Sequence, residues 1–411
     1  MTGAPTDVTG APTDVTGAPT DVTGAPTDVT GAPTDVTGAP GLAWQVDRGC
    51  LCWRGSIGQG ARVSSATGPA NPELIRDRFR ATLLGCAIGD ALGFPFEGQP
   101  PEVVQRVPEI AEDFHPRPRG KYAKGQYTDD TQMTLALAAS IAEEGRVDGR
   151  AVANRLAALW RDGIILEAGE TTSEAMGRIL KGAPWMSAGA EVGLAGNGAA
   201  TRAAPIGLWN CDDFGKIARD AEVQGVITHK DPRSLAGSAA FAAAVALALE
   251  EGEPQPRRFL QIVAECANPF SNEFAAIIAD LGRLLKWEPR SAISTIALLG
   301  LRPDEQPDWP GISPYVVPTV VMAIYAFLRE PGDFRAALQL ALRAGGDVDT
   351  TGAMVGALSG AHLGMLGIPA RLRKGMLHAD VILEIADTLF ARKFLAARAE
   401  TRLRHVVKAQ R

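Results

Sequence analysis

Asp347, Asp349 and Thr350 put two carboxylates and a hydroxyl within four residues, directly after Gly345-Gly346. The run that follows, Ala353 to Leu366, is helical in composition apart from its glycines. These side chains therefore sit at a helix entrance, where their oxygens can converge on one point. Ligands that are all oxygen suit a hard cation such as Mg²⁺ or Mn²⁺. Far earlier in the chain, Tyr127-Thr128-Asp129-Asp130-Thr131 opens another helical run, Gln132 to Glu144. Brought together, the two clusters supply enough oxygens for two metal ions roughly 3.5–4 Å apart. Helix capping is the plainer use of Thr and Asp, and it accounts for one oxygen per helix. It accounts poorly for Asp-Asp and Asp-x-Asp-Thr, because adjacent anions repel unless a cation is present.

Two glycine-striped helices are the elements that must bring these clusters together. Gly85, Gly89 and Gly93 recur at four-residue spacing in the segment Ile75 to Leu92 and just beyond it. Gly352, Gly356, Gly360 and Gly364 do the same after the acidic stretch. Four-residue spacing places each set on one helix face. Each glycine costs about 1 kcal/mol of helix propensity against alanine, so close helix–helix approach must offset it. The two helices are expected to be buried neighbours at the centre of the fold. Asn71-Pro72-Glu73 is a good helix start, and Pro95 forbids continuation past the first helix. Asp90 and Glu97 are left near that helix's C-terminus, an unfavourable end for anions by dipole alone. A nearby cation would repair this.

Other segments carry weaker signals. In Gly196-Asn197-Gly198-Ala199-Ala200-Thr201-Arg202, small residues would let backbone N–H groups approach an anion, and Arg202 could add charge. His229 precedes a long alanine-rich helix, Ser234 to Glu250, which is apolar nearly all round and so expected to be buried. Val147 to Asp162 reads as an amphipathic helix with Val152, Leu156 and Leu159 on one face. Glu102 to Lys124 is basic and broken by prolines, and reads as a surface loop. In the last forty residues Ile382, Ile385, Leu389 and Phe390 are expected inward. No strand alternation is seen anywhere.

Composition bounds the class. The chain has 411 residues, 46% of them hydrophobic, and a net charge of −6. That fits a globular protein and offers no basic excess for nucleic acid. Its cysteines, five in number, form no CxxC pair, so neither a disulfide framework nor a zinc site is indicated and a reducing cytoplasm is the expected compartment. No apolar run is long enough to span a membrane. Nothing calls for an oligomer, so a monomer is expected. Residues 1–41 hold five copies of Thr-Gly-Ala-Pro-Thr-Asp-Val and part of a sixth. Gly and Pro in every unit, with one Val as the large apolar residue, leave too little to bury, and the tail is expected to be disordered. Residues 42–71 read as a linker and 72–411 as the folded domain.

Taken in order, the motifs resemble the ADP-ribosylglycohydrolase family, which includes dinitrogenase reductase-activating glycohydrolases and ADP-ribosylarginine and ADP-ribosylserine hydrolases. They are Gly89-Asp90-Ala91-Leu92-Gly93 with Glu97, Tyr127-Thr128-Asp129-Asp130-Thr131, Gly196-Asn197-Gly198-Ala199-Ala200, Thr228-His229, and Gly346-Asp347-Val348-Asp349-Thr350-Thr351-Gly352. The resemblance implies an all-α fold, a compact orthogonal multi-helix bundle with a central binuclear Mg²⁺ or Mn²⁺ site. It implies Thr128, Asp129, Asp130, Asp347, Asp349 and Thr350 as ligands. Glu97 matches a glutamate that gates or catalyses, depending on subfamily, and joins Asp129 and Asp130 as a catalytic candidate. Asn197, Gly198, Ala199 and His229 match segments that hold ADP-ribose. Thr201 stands where many members have Met, and the first 70 residues have no counterpart in the common core.

The activity so implied is metal-dependent hydrolysis of the bond between ADP-ribose and a modified acceptor. The partner is then an ADP-ribosylated protein or a small ADP-ribosyl substrate, with no membrane. Arginine, serine, a nucleic-acid end and a small metabolite all stay open as leaving groups. The rivals are an inactive ADP-ribose-binding relative and an immunity-type hydrolase acting against an ADP-ribosylating toxin.

Overall fold

The computed structural model describes residues 45–47, 50–52, 71–117, 122–301 and 309–396. The repeat tail lies outside the described residues, as does most of the linker. The chain divides into two compact units, Met1–Ser56 and Ile57–Arg411. In the first, β1 (Gln45–Asp47) and β2 (Cys50–Cys52) pair antiparallel, with Val46 opposite Leu51. The sequence predicts no strand, so this hairpin is a correction: three-residue strands are too short for period-two patterning to register.

The second unit is helical, and among its described residues the extended pairings are single backbone bridges. The elements that matter for the site are α1 (Pro72–Gly93), α2 (Asp129–Glu144), α3 (Pro232–Ala248), α4 (Val316–Arg329), α5 (Val348–Gly367) and α6 (Ala379–Phe390). The Asn71 side chain accepts the Leu74 N–H and starts α1, with Pro72 at the first helical position, where its missing N–H costs nothing. α1 and α5 form the central pair, with α2 and α6 against α1 and with α3 and α4 against α5.

The two glycine stripes face each other. A Cβ on Gly85 would lie 2.2 Å from the Gly356 carbonyl oxygen, and one on Gly89 1.9 Å from that of Gly352. One on Gly360 would meet the Ala81 carbonyl oxygen at 2.1 Å. These obstacles are backbone, so no side chain can move aside. Dispersion contacts along the whole pair offset the propensity the glycines lose. The second stripe stops a turn earlier than its spacing predicts. Gly364 has φ +70° and breaks the helix, and the Asp77 carboxylate accepts the Met365 N–H there at 2.9 Å.

The surrounding helices follow their apolar patterns. Every residue of α3 from Ser234 to Ala248 is buried. α3 begins two residues before the expected Ser234, because Asp231 accepts the Arg233 N–H at 2.9 Å and caps it. The predicted Val147–Asp162 helix runs Gly149–Arg161, started by Asp148, which accepts the Arg150 and Ala151 N–H groups. On α6, Ile382, Leu389 and Phe390 are buried and Ile385 half-buried. The stretch from Glu102 to Lys124 is only partly a surface loop: Val104, Ile110, Ala111 and Phe114 are buried. No helix among the described residues is long and apolar enough to cross a membrane.

Gly89→Ala and Gly356→Ala are each expected to cost about 3 kcal/mol or more, the upper end of overpacking, because backbone bounds the clash on both sides. Gly177→Ala is the control. It lies in the helix Glu170–Leu180 with open space where a Cβ would go, so neutrality or a gain of up to about 1 kcal/mol is expected. Urea unfolding measures all three, and wild-type stability in Gly89→Ala would contradict the close approach.

Candidate active site

The entrance to α5 is held by backbone. Gly345 and Gly346 adopt φ +68° and +82°, conformations natural to glycine alone. On one side Gly346 N–H donates to Gln99 O and Gly98 N–H to Gly346 O, both at 2.9 Å. On the other, Asp347 N–H donates to Ile312 O at 2.7 Å. A Cβ on Gly346 would lie 2.1 Å from Ile312 O. The Gly-Gly pair is thus a clamp between two extended segments, and it sets Asp347 beside the turn that carries Glu97.

The acidic side chains then divide their tasks. Asp347 makes no side-chain cap on its own helix. Its carboxylate accepts from Asn197 Nδ2 at 2.5 Å, and the same amide group donates to Thr319 Oγ1 at 3.1 Å. Asp349 accepts the Thr350 N–H at 3.0 Å. Thr350 Oγ1 donates to Asp130 Oδ2 at 2.9 Å, so the two clusters, distant in sequence, touch. Capping of α2 falls to Asp90, from the last turn of α1. Its carboxylate accepts the Thr128 N–H at 3.0 Å, the Thr131 N–H at 3.2 Å and the Thr131 hydroxyl at 2.6 Å. The α2 N-terminus therefore does for Asp90 what the sequence assigned to a cation. Thr128 adds a longer bond, accepting the Asp130 N–H at 3.4 Å. The carboxylates of Asp129 and Asp130 are left without capping duty.

So many carboxylates in one place are costly. Burial first, then the charges of Asp90, Asp347 and Glu97, hold Asp129 well above the ordinary carboxylate range. Asp130 is raised likewise by burial and by Asp129, Asp90 and Asp347, with the Thr350 hydrogen bond opposing. Asp349 is raised by burial and by Glu97, Asp347 and Asp130. Asp347 moves up through burial, with the hydrogen bond it accepts from Asn197 among those opposing. Asp90 is pushed up to about 6 by burial, less than it would be without its N–H and hydroxyl donors.

At the mouth stands Glu97, pushed up to about 7 by burial and by Asp347, with Arg117 opposing. Arg117 lies 3.6 Å from Glu97 and 3.2 Å from Glu167. Its guanidinium stacks over the Phe94 ring at 4.2 Å. Tyr122 Oη donates to Glu167 at 3.0 Å. Glu167 itself sits at φ +55°, a strained position for a residue with a Cβ. Its loop also anchors α2, since the Asp129 N–H donates to Leu166 O at 2.9 Å.

The Gly-Asn-Gly loop meets the acidic residues through Asn197, which donates to Asp347. Gly198–Thr201 is a single helical turn; Ala199 is fully buried, and its carbonyl accepts from Gln224 Nε2 at 2.8 Å. Asn197 commits its amide donors to Asp347 and Thr319. Arg202 is not free to add charge for an anion, as the sequence suggests. It is wholly buried, donates to Gly198 O at 3.0 Å, to Gln224 Oε1 at 2.7 Å and to Thr228 Oγ1 at 2.8 Å, and is lowered to about 9 by burial. His229 is buried beside the loop and drops to about 3, through burial and then the Arg202 charge, so the imidazole is neutral.

Hydrogen bonds thus link Thr128 and Thr350 to Asp130, Thr350 to Asp349 and Asn197 to Asp347, and the charges of Glu97 and Asp129 act on the same group of carboxylates, while His229 stands against Gly196 and Gly198. Sequence reasoning missed Glu167 and Arg117, which carry no motif, and the capping role of Asp90, whose motif it did single out. Among the described residues, no three His, Cys, Asp or Glu side chains stand as a ready-made metal cage. By type, the donors fit a hard divalent ion: carboxylates and hydroxyls throughout, with like charges raising one another.

A family model described as ADP-ribosylglycohydrolase matches residues 71–399. An ADP-ribosylarginine hydrolase of Pseudomonas putida is 27% identical over 328 residues, covering 78% of this chain and 80% of that one. The ADP-ribosyl-dinitrogen reductase glycohydrolase of Rhodospirillum rubrum is 29% identical over 311 residues, covering 74% of this chain and 90% of its own. A solved structure described as an ADP-ribosylglycohydrolase-related protein complex is 28% identical with a TM-score of 0.58, covering 78% of this chain and 99% of that chain.

Because Asp349 is raised in the folded state, its ionised form is unfavourable there at neutral pH, and a neutral amide relieves that. With chelator present, Asp349→Asn is therefore expected to stabilise the protein. Mg²⁺ at a hundred times its dissociation constant should stabilise wild type by about 2.7 kcal/mol and the variant far less. Urea unfolding with and without Mg²⁺ checks both; a destabilised Asp349→Asn in chelator contradicts the electrostatic account.

Proposed function

The chain belongs to the ADP-ribosylglycohydrolase family, and from that premise we propose that it removes ADP-ribose from modified arginine side chains, using two Mg²⁺ or Mn²⁺ ions. The hydrolysis of ADP-ribose linkages follows from the family; the ions and the arginine are our reading. Thr128, Asp129, Asp130, Asp347, Asp349 and Thr350 would hold the ions. When bound, they supply positive charge that offsets the carboxylates and polarises oxygens of the substrate.

The chain's own groups account for the rest. Breaking a glycosidic bond builds positive charge at the anomeric carbon, which the carboxylates of Asp129 and Asp130 would stabilise. Burial raises the proton affinity of the Glu97 carboxyl. It can therefore give a proton to a leaving group or take one from water. Asp129 and Asp130 remain the other candidates for that step. Neutral His229 is suited to hydrogen-bond a substrate oxygen.

The single observation that carries the reading is the bond from Thr350 to Asp130, which joins the two acidic helix entrances into one site. Arginine is favoured over serine by the mouth. There the guanidinium of Arg117 rests on the Phe94 ring between Glu97 and Glu167, chemistry that would equally receive a guanidinium leaving group. The Pseudomonas putida relative named for ADP-ribosylarginine points the same way. Every oxygen-donor position the family motif calls for is filled, which favours turnover over binding alone.

The test is incubation with arginine-linked and serine-linked ADP-ribosyl peptides, in Mg²⁺, in Mn²⁺ and in chelator. Release of ADP-ribose is expected from the arginine-linked peptide, with either ion and not with chelator. Asp349→Ala should lower kcat by about a thousandfold or more, as removal of several kcal/mol of polarisation implies, and should weaken ion binding. Undiminished release by Asp349→Ala would contradict the reading, and release from the serine-linked peptide alone would reassign the acceptor.

A further inference from the structure

His229 stands against the Gly196-Asn197-Gly198 loop with little space between them. A Cβ on Gly196 would lie 2.9 Å from its Nε2, and one on Gly198 3.4 Å from its Cε1. The glycines of this loop therefore admit the imidazole edge. At the opposite edge, Nδ1 lies 2.8 Å from Thr228 Oγ1. Arg202 Nη2 donates to that same oxygen at 2.8 Å.

This arrangement determines where the proton of the ring sits. A guanidinium can only donate. The Thr228 hydroxyl, fully buried, has one proton of its own, and among the described residues Nδ1 is the acceptor within its reach. A buried hydroxyl proton left without an acceptor costs about 1–3 kcal/mol. The hydroxyl thus donates to Nδ1, Nδ1 is bare, and the neutral ring carries its proton on Nε2, the atom turned toward the loop. Arg202 is held in place for this by Gly198 O and by both the side-chain and main-chain oxygens of Gln224.

We propose that Arg202, acting through Thr228, is a positioning residue that presents His229 as a neutral Nε2–H donor to an oxygen of the ADP-ribosyl substrate. The substrate half of this statement rests on the function proposed above; the tautomer half does not.

The test uses the full chain labelled with ¹⁵N in histidine alone, with the His229 signals identified by their loss in His229→Gln. Wild type is expected to show a pyridine-type Nδ1 and a protonated, pyrrole-type Nε2 at neutral pH. Thr228→Val, which removes the hydroxyl, should mix the tautomers; Thr228→Ser, which keeps it, should restore the single form. With arginine-linked ADP-ribosyl peptide and Mg²⁺, Thr228→Val should raise KM about tenfold with kcat within about twofold, the pattern of a lost binding contact. Thr228→Ser should restore KM. A proton on Nδ1 in wild type overturns the proposal, as does a Thr228→Val protein whose tautomer is unchanged. If Thr228→Val fails to fold, the wild-type spectrum decides alone. The expected tautomer in a protein that releases no ADP-ribose would remove the proposed reaction and leave the Arg202–Thr228–His229 relay standing.

Discussion

Backbone-to-backbone contact between α1 and α5 is the constraint on which the site depends. The pair runs antiparallel: Gly85 meets Gly356, Gly89 meets Gly352, and Gly93 at the end of α1 meets Val348 and Asp349 at the start of α5. The last turn of α1 therefore lies beside the first turn of α5. That last turn carries Asp90, which caps α2 through Thr128 and Thr131. Two helix entrances far apart in the chain are drawn to one place by a single packed pair and a single carboxylate. Their positive dipole ends face the acidic side chains they carry.

The cost of this arrangement is electrostatic. Burial raises the proton affinity of Asp90, Glu97, Asp129, Asp130, Asp347 and Asp349; the charges of neighbouring carboxylates add to it at Glu97, Asp129, Asp130 and Asp349, and Arg117 opposes the shift of Glu97. A protein selected for stability alone would not keep such a cluster. The backbone clamp at Gly345-Gly346 and the strained Glu167 belong to the same pattern, with local cost tolerated where geometry is needed. Arg202 shows the opposite economy: a buried charge fully satisfied by carbonyl, amide and hydroxyl oxygens, spent on holding its neighbours.

The sequence was most legible where a pattern repeats within one element. The glycine spacing at Gly85, Gly89 and Gly352, Gly356 announces two facing helices, and the helix entrances at Asp129 and Asp347 announce oxygen clusters. It was silent where a side chain works across elements. Nothing local says that Asp90 caps α2 in place of meeting a cation, that Asn197 spends its amide on Asp347, or that Arg202 is interior. Gly364 broke its stripe for a reason held elsewhere, in Asp77 on α1. Glu167 and Arg117 have no spacing to betray them, because a loop residue owes its position to contacts and not to period.

Whether the two acidic entrances form one divalent-ion centre is tested most directly by anomalous diffraction from crystals grown in Mn²⁺. The account predicts two peaks, roughly 3.5–4 Å apart as in two-metal sites generally, lying among Asp129, Asp130, Asp347, Asp349 and Thr350. No manganese among these residues, or manganese bound at one entrance with the other turned away, would contradict it.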